Sequence, residues 1–337
     1  MKNRRRLALG LLISLLFLYL AMRNIRWGEL WQSFRVADYL YLIPALLVLV
    51  LINWVRAYRW RLLMYPDMHL PLSRVFWFVN IGYLFNNILP AKAGEVIRGY
   101  LVGREISGGL GQALSTLLIE RLLDVLTLVV LLVVLIPFVE LPAWAMRGGL
   151  LFGGAAIAGT LVLLVLSRYG DKGVEWALRL MRRIALVGHP KVESALRNLI
   201  GGFGVLWKGH LLPGIVVGSG LIWLGYAIFN YILMAVFNMT YLPFSAAALV
   251  LCATGFSMVV PSSPGAMGVF EWAVVLALAV YGVSESPAFG YALGLHVFTN
   301  VSLIIFGLVG LMREGLSYTH VQREAMEKEP TPATIER

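Results

Sequence analysis

Eight ionisable side chains fall within residues 86–124 of a chain that is otherwise largely apolar. They are four acids and four bases: Glu95, Glu105, Glu120, Asp124, Lys92, Arg98, Arg104 and Arg121. Ionisable groups are costly at membrane depth, so those that occur inside membrane segments usually have a function. The segments on either side of this stretch therefore decide what the charges could do.

The composition predicts a polytopic membrane protein. Of 337 residues, 59% are hydrophobic and only 14% are charged, which leaves too little polar surface for a water-soluble globule. The net charge of +10 is not accompanied by a soluble basic domain, so we expect no nucleic-acid partner. Cys252 is the only cysteine, which excludes an intrachain disulfide and a thiolate metal site. We find no motif for a metal ion or a cofactor and expect none.

Hydrophobic stretches of about 20 residues predict six spanning helices. These stretches are 7–22, 39–57, 112–136, 148–167, 211–237 and 288–312. The basic start of the chain precedes the first stretch without a cleavage site, so that stretch is expected to stay as a helix. Two further regions, 75–103 and 244–282, consist of short apolar segments broken by Pro and Gly.

Each of these two regions predicts a re-entrant helical hairpin, because its halves are too short to cross a bilayer. Pro90 and Gly94 would form the tip of the first hairpin. In the second, the tip would contain Ser262, Ser263, Pro264, Gly265 and Gly268. Proline lacks an N–H and glycine tolerates positive φ, so both types suit a broken helix.

The positions of Lys and Arg predict the orientation. With both termini cytoplasmic, the inner segments hold 20 of these bases and the outer segments hold 4. The two hairpins would then enter from opposite faces, which suggests an inverted repeat. We expect an integral membrane domain over 1–315, with a cytoplasmic amphipathic segment at 168–210, and a polar cytoplasmic tail at 316–337.

Glu120 and Asp124 stand four residues apart and share one helix face, with Arg121 beside it. Two interpretations are open. The charges could form a closed structural network in which Arg121 neutralises one acid. They could instead line a hydrated cavity of mixed charge, suited to a zwitterionic headgroup, with these further residues: Asn86, Asn87, Lys92, Glu95 and Arg98.

In the second hairpin Glu271 is the only strong charge, and a lone acid in an apolar hairpin favours a function. His296 and Asn300, four apart on the last helix, could face Glu271, most simply as a satisfied pair in the core.

Three ordered motifs resemble the lysylphosphatidylglycerol synthase transmembrane domain family. They are N-N-x-L-P-x-x-x-G-E-x-x-R at 86–98, E-R-x-x-D at 120–124 and P-G-x-x-G-x-x-E at 264–271. The resemblance implies translocation of phospholipid, including aminoacylated phosphatidylglycerol, across a bacterial inner membrane. In fused members this activity contributes to resistance against cationic antimicrobial peptides. Some relatives are attached to glycosyltransferases, which makes a polyprenyl-linked sugar an alternative substrate.

The expected function is therefore that of a lipid flippase or scramblase. Lys92, Arg98 and Arg121 would engage the phosphate of a headgroup. Its cationic parts would be engaged by four acids, Glu95, Glu120, Asp124 and Glu271. The chain ends in a short polar tail where fused members carry an aminoacyl-transferase domain, so we expect no enzyme activity. Two alternatives are a membrane-embedded lipid-modifying transferase and a non-transporting partner. Expected partners are membrane phospholipids, a separate lipid synthase or glycosyltransferase, and a second copy of the chain in a homodimer.

Overall fold

The computed structural model of the chain describes residues 2–89, 93–140, 143–182, 190–258 and 263–318. Apart from single 3-10 turns, the regular structure of these residues is α-helical. In chain order the helices are α1 (Lys2–Met22), α2 (Trp27–Arg35), α3 (Leu42–Leu63), α4 (Leu72–Ile88), α5 (Ala93–Gly103), α6 (Gly109–Leu135), α7 (Ala143–Arg168), α8 (Asp171–Arg182), α9 (Pro190–Phe203), α10 (Leu212–Val236), α11 (Phe244–Ser257), α12 (Val269–Ala279) and α13 (Glu285–Arg313).

Among the described residues, five helical segments are long and apolar enough to cross a membrane. They are Tyr39–Leu63, Gly109–Phe138, Met146–Arg168, Leu212–Val236 and Glu285–Arg313. The predicted all-α, polytopic membrane fold is thus confirmed. The predicted first span, 7–22, lies within α1, of which Leu12–Met22 is a shorter apolar helix. Helix α3 continues beyond the approximate end of the predicted second span, residue 57, to Leu63.

Both predicted hairpins are pairs of short helices that pack together, α4 with α5 and α11 with α12. Next to each tip, a described residue contacts the middle of a longer helix. Glu95, at the start of α5, contacts Arg121 in α6, and the Ser263 N–H donates to the Ser14 hydroxyl in α1. That these helix pairs are re-entrant, and that they enter from opposite membrane faces, stays a prediction.

The loops group at two opposite ends of the helix bundle. At one end, the Asp38 N–H donates to the Val236 carbonyl and Asn24 donates to Glu285. At the other end, the loop after α3 contacts the start of α6, and Arg74 pairs with Glu314. Segments that the base count assigns to one side of the membrane thus lie at one end of the molecule, whereas which end is cytoplasmic stays a prediction.

Two amphipathic helices, α8 and α9, occupy the predicted amphipathic segment 168–210. The second begins at Pro190, residues 183–189 between the two lie outside the described ranges, and so do residues 319–337 of the predicted tail. Helix α2 was not predicted. It buries Leu30 against α13 and leaves Trp27 and Trp31 exposed on one face.

Glycines allow the closest helix contacts. On α10, Gly214, Gly218 and Gly225 face Leu62, Arg59 and Ile52 of α3, while on α13 Gly307 and Gly310 receive Leu84 and Ile81 of α4. Small residues of this kind permit close packing of membrane helices, for which lipid supplies no hydrophobic driving force.

Two apolar cores lie end to end, and three helices change from one core to the other at polar residues. Helix α3 changes after Ile52, at Asn53 and Arg56, and α6 changes at Glu120 and Asp124. Helix α10 changes at Ser219. The fold therefore brings the polar positions of these three helices to one level, between the two cores.

Candidate functional site

The polar layer consists of the charged side chains between the two cores, together with Ser219. Its charged members are Arg56 and Arg59 of α3, Glu95 and Arg98 of α5, and Glu120, Arg121 and Asp124 of α6.

Arg56 and Arg59 lie at the centre of the polar layer. Arg56 Nη1 is 2.7 Å from Glu120 Oε1, and Arg59 Nη2 is 2.7 Å from Asp124 Oδ1. Arg59 also donates to the Ser219 hydroxyl across 3.0 Å. The base count above takes both arginines as part of an inner segment, 56–74; this is wrong, because both are buried within α3. Without them the inner segments still hold 18 bases against 4 outside, and the predicted orientation is unchanged.

Every carboxylate oxygen of Glu120 and Asp124 has a guanidinium partner. Glu120 is completely buried, and its second oxygen lies 2.6 Å from Arg98 Nη2. The second oxygen of Asp124 is shared between Arg56, at 3.1 Å, and Arg121, at 3.3 Å. In this conformation the two acids hold arginines in position and have no free oxygen for another cation.

Arg98 links the first hairpin to the polar layer. Its guanidinium carbon lies 4.3 Å from the centre of the Trp60 ring, which is a cation–π distance. The Trp60 indole N–H in turn donates to Thr116 of α6 at 2.9 Å. Helix α5 is thereby fixed between α3 and α6.

Arg121 and Glu95 form the edge of the polar layer. Their side chains are 37% and 25% exposed, and Arg121 Nη2 lies 2.9 Å from Glu95 Oε1. The pairs of Glu120 with Arg56, Arg59 and Arg98, in contrast, are 4% exposed or less. The Glu95–Arg121 pair is therefore the most accessible ion pair of the layer.

The polar layer is not balanced in charge or in hydrogen bonding. Its four arginines face three carboxylates, an excess of one positive charge among the described residues. The buried Nε atoms of all four arginines have no hydrogen-bond partner. Unsatisfied buried donors are costly, so an acceptor that reached them would be bound favourably.

The predicted residues of the first hairpin tip are only partly brought into the layer. Asn86 lies beside it with a buried, unpartnered Oδ1, whereas Asn87 donates to the Tyr83 carbonyl within α4. Gly94 is in α5, and its φ is not positive. The predicted reason for this glycine was wrong: a Cβ there would overlap the Gly82 carbonyl and the Asn86 backbone. Pro90 and Lys92 lie outside the described residues.

A narrow cleft runs between the first hairpin and α6, beside the polar layer. It is too narrow to admit a water-sized sphere. Its polar lining is made by Tyr83, Asn86, Glu95, Arg98 and Arg121. The described charges thus form a closed network with a constricted cleft at its edge, and a hydrated cavity stays a prediction.

Two other charges of the same stretch lie elsewhere. Glu105 pairs with Arg74 at the end of the bundle, 3.2 Å away, and Arg104 lies over the Tyr100 ring.

The second hairpin forms a separate polar group. Glu271 Oε1 lies 2.5 Å from His296 Nδ1, and Glu271 Oε2 accepts the Gly268 N–H at 2.6 Å. Both side chains are buried. The predicted facing of His296 and Glu271 is therefore correct, whereas Asn300 lies near Gly265 of the tip and its facing of Glu271 stays a prediction. No hydrogen bond or ion pair found in the described part of the chain joins Glu271 to the polar layer.

The second tip requires its glycines for conformation. Gly265 has φ +72° and Gly268 has φ +85°, and a Cβ on Gly268 would overlap the Ser14 carbonyl. Pro264 begins the turn that contains Gly265. Within the described ranges, no three His, Cys, Asp or Glu side chains come together as a metal site.

Arg56 and Arg59 could have been found from their spacing. They stand three residues apart, so on a helix they share one face. Glu120 and Asp124, four residues apart, share a face in the same way, and the two pairs of opposite charge could therefore meet. The hydropathy pattern favours another interpretation, because two arginines at the end of an apolar run are typical of a cytoplasmic membrane boundary.

Comparison with known proteins places the same region in a family. Residues 7–307 match the family described as the lysylphosphatidylglycerol synthase TM region. A UPF0104 membrane protein of Methanothermobacter thermautotrophicus is 23% identical over 283 residues, which cover 77% of this chain and 81% of the relative. A UPF0104 membrane protein of Methanocaldococcus jannaschii is 22% identical over 230 residues, which cover 66% and 91%. No solved structure matches the chain significantly. The chain belongs to the lysylphosphatidylglycerol synthase TM region family, as the three motifs predict.

Proposed function

We propose that the chain is a lipid flippase or scramblase whose polar layer receives the headgroup while the acyl chains stay in the surrounding lipid. The observation that carries this proposal is the positively charged, buried polar layer beside the cleft. A phospholipid with a phosphodiester, including aminoacylated phosphatidylglycerol, fits such a layer. A polyprenyl-linked sugar, whose phosphates are also anionic, is the alternative substrate.

A purely structural role explains the polar layer less well. Buried ion pairs rarely stabilise more than apolar side chains of the same volume, because desolvation offsets their attraction. Inside a membrane protein that cost is also high. Four arginines for three acids, with unpartnered Nε atoms, is a poor arrangement for stability alone and a good one for binding an anion.

In this proposal the chain transports its lipid without modifying it. The oxygens of Glu120 and Asp124 are all taken by arginines, so neither acid is available as a general base. The acids thus position arginines, a role different from the cation binding that their charge alone suggests. A separate synthase or glycosyltransferase would supply the substrate, and peptide resistance would follow where that substrate is aminoacylated.

The proposed setting is a bacterial inner membrane with both termini in the cytoplasm. The excess of inner bases supports this orientation. The first hairpin would then open toward the cytoplasm and the second toward the outside, as two gates of an inverted repeat.

The test is lipid translocation in proteoliposomes, with headgroup-labelled phospholipids and an impermeant quencher. We expect Arg98→Gln to slow translocation at least ~10-fold, since Arg98 lines the cleft. The matched control is Arg74→Gln, which removes an arginine pair at the end of the bundle. Equal rates for wild type and Arg98→Gln, with both proteins folded, would contradict the proposal.

A further inference from the structure

The cleft beside the polar layer has an anion inside it, the carboxylate of Glu95. This carboxylate lies 2.9 Å from Arg121 Nη2. Arg98 also lines the cleft, and its buried Nε has no partner, nor has the Nε of Arg121. The donors that surround the cleft thus exceed what Glu95 satisfies.

Arginine donors in a fixed planar fork suit carboxylate and phosphate alike. In this structure Glu95 reaches Arg121 with one carboxylate oxygen. A phosphodiester, whose negative charge is shared by two non-bridging oxygens, would reach a second guanidinium as well. A phosphate group would therefore use the same donor as Glu95 and some of the unpartnered ones.

Glu95 is also the partner that can leave most easily. The pair it forms is the most exposed in the polar layer, while the oxygens of Glu120 and Asp124 are buried and shared among arginines. Glu95 is the third residue of α5, next to the tip of the hairpin. Its release from Arg121 would free the start of α5 from α6 and widen a cleft that now excludes water.

We propose that the phosphate of the lipid headgroup binds Arg98 and Arg121 by displacing Glu95, so that Glu95 is an internal substitute for the substrate anion and holds the first hairpin closed. This inference rests on the proposed function for the source of the phosphate. In this inference Glu95 competes with the substrate for Arg121. Its charge alone suggests a different role, the binding of a cationic headgroup.

The test measures equilibrium binding of dioctanoyl phosphatidylglycerol to the purified full chain in detergent, by isothermal titration calorimetry. Removing a competing internal anion raises the fraction of binding-competent protein, so Glu95→Gln is expected to tighten binding by about 10-fold. Arg121→Gln is expected to weaken it by about 10-fold or more. Glu95→Asp, which keeps the charge on a shorter side chain, should lie between wild type and Glu95→Gln.

The matched control is Glu105→Gln, which removes an acid from an arginine pair outside the cleft and should leave binding unchanged. Dioctanoylglycerol, which lacks phosphate, should bind at least ~10-fold more weakly than the phospholipid. Inorganic phosphate that displaces the phospholipid would show that the anion alone is recognised, and failure to displace it would assign recognition to the phosphate within a lipid.

Unchanged or weaker binding by Glu95→Gln and Glu95→Asp would overturn the inference, as would equal binding of dioctanoylglycerol. Binding that follows the expected order without translocation in vesicles would retain this site and reject the transport function. Translocation without competition by Glu95 would retain the transport function and reject this binding mode.

Discussion

Arg59 and Asp124 lie 65 residues apart in sequence, yet Arg59 Nη2 approaches Asp124 Oδ1 to 2.7 Å inside the helix bundle. The same aspartate also pairs with Arg56 and Arg121. One carboxylate thus compensates part of the charge of three arginines, as Glu120 also does, and its removal leaves buried guanidinium charge unpaired.

Asp124→Asn should therefore destabilise the protein strongly, by about 3–5 kcal/mol, because buried guanidinium groups lose their counter-ion. Thermal unfolding of the purified protein measures this loss. Combining it with Arg59→Gln should cost less than the sum of the two single changes, since the pair is removed together. Additive effects would mean that the two side chains do not interact in the folded protein.

The sequence predicted the helical fold, the two pairs of short helices and the positions of Glu120 and Asp124 on one helix face, because hydropathy, Pro/Gly breaks and helical spacing act locally. It did not predict the partners of these acids. Arg56 and Arg59 look like a membrane boundary in sequence, and only the packing of α3 between α6 and α10 shows that they are buried. The sequence singled out Gly94 for its tolerance of positive φ, whereas the structure requires glycine there for its close contact with Gly82. That contact depends on how α5 packs on α4, which the sequence alone does not show.

Gly94→Ala tests this contact. A Cβ would overlap backbone atoms of Gly82 and Asn86, which cannot move as a side-chain end can, so we expect a loss of about 1–3 kcal/mol and slower lipid translocation. Gly220→Ala is the matched control, because Gly220 also lies in a helix but has open space around it. If both variants unfolded at the wild-type temperature, α5 would not dock as described.

The orientation can be tested with single cysteines in a Cys252→Ala background. Tyr241 and Tyr169 are both exposed and lie at opposite ends of the bundle, in segments that the base count assigns outside and inside. In intact cells, an impermeant maleimide should label Tyr241→Cys at once and Tyr169→Cys only after permeabilisation. The reverse order would invert the predicted topology.

The two hairpins each carry an acid at a matching position. Glu95 and Glu271 are each the third residue of the second hairpin helix, α5 and α12. Each pairs with a basic side chain near the middle of the next long helix, Arg121 in α6 and His296 in α13. The partners follow the acids by 26 and 25 residues. In the proposed transport cycle, Glu271–His296 would close the second hairpin as Glu95–Arg121 closes the first.

Glu271→Gln tests whether this second pair acts in transport. The change keeps the size of the side chain and removes the charge that faces His296, so we expect a cost of about 1–3 kcal/mol and slower translocation. Tyr281→Phe is the control, since it removes a hydrogen bond to Ser245 in the same hairpin, away from its tip. Because a hydrogen bond contributes about 1 kcal/mol, Tyr281→Phe should lower stability slightly and leave translocation intact. If it slowed translocation as much as Glu271→Gln, the effect would belong to the stability of the hairpin in general, and the acid would not be a gate.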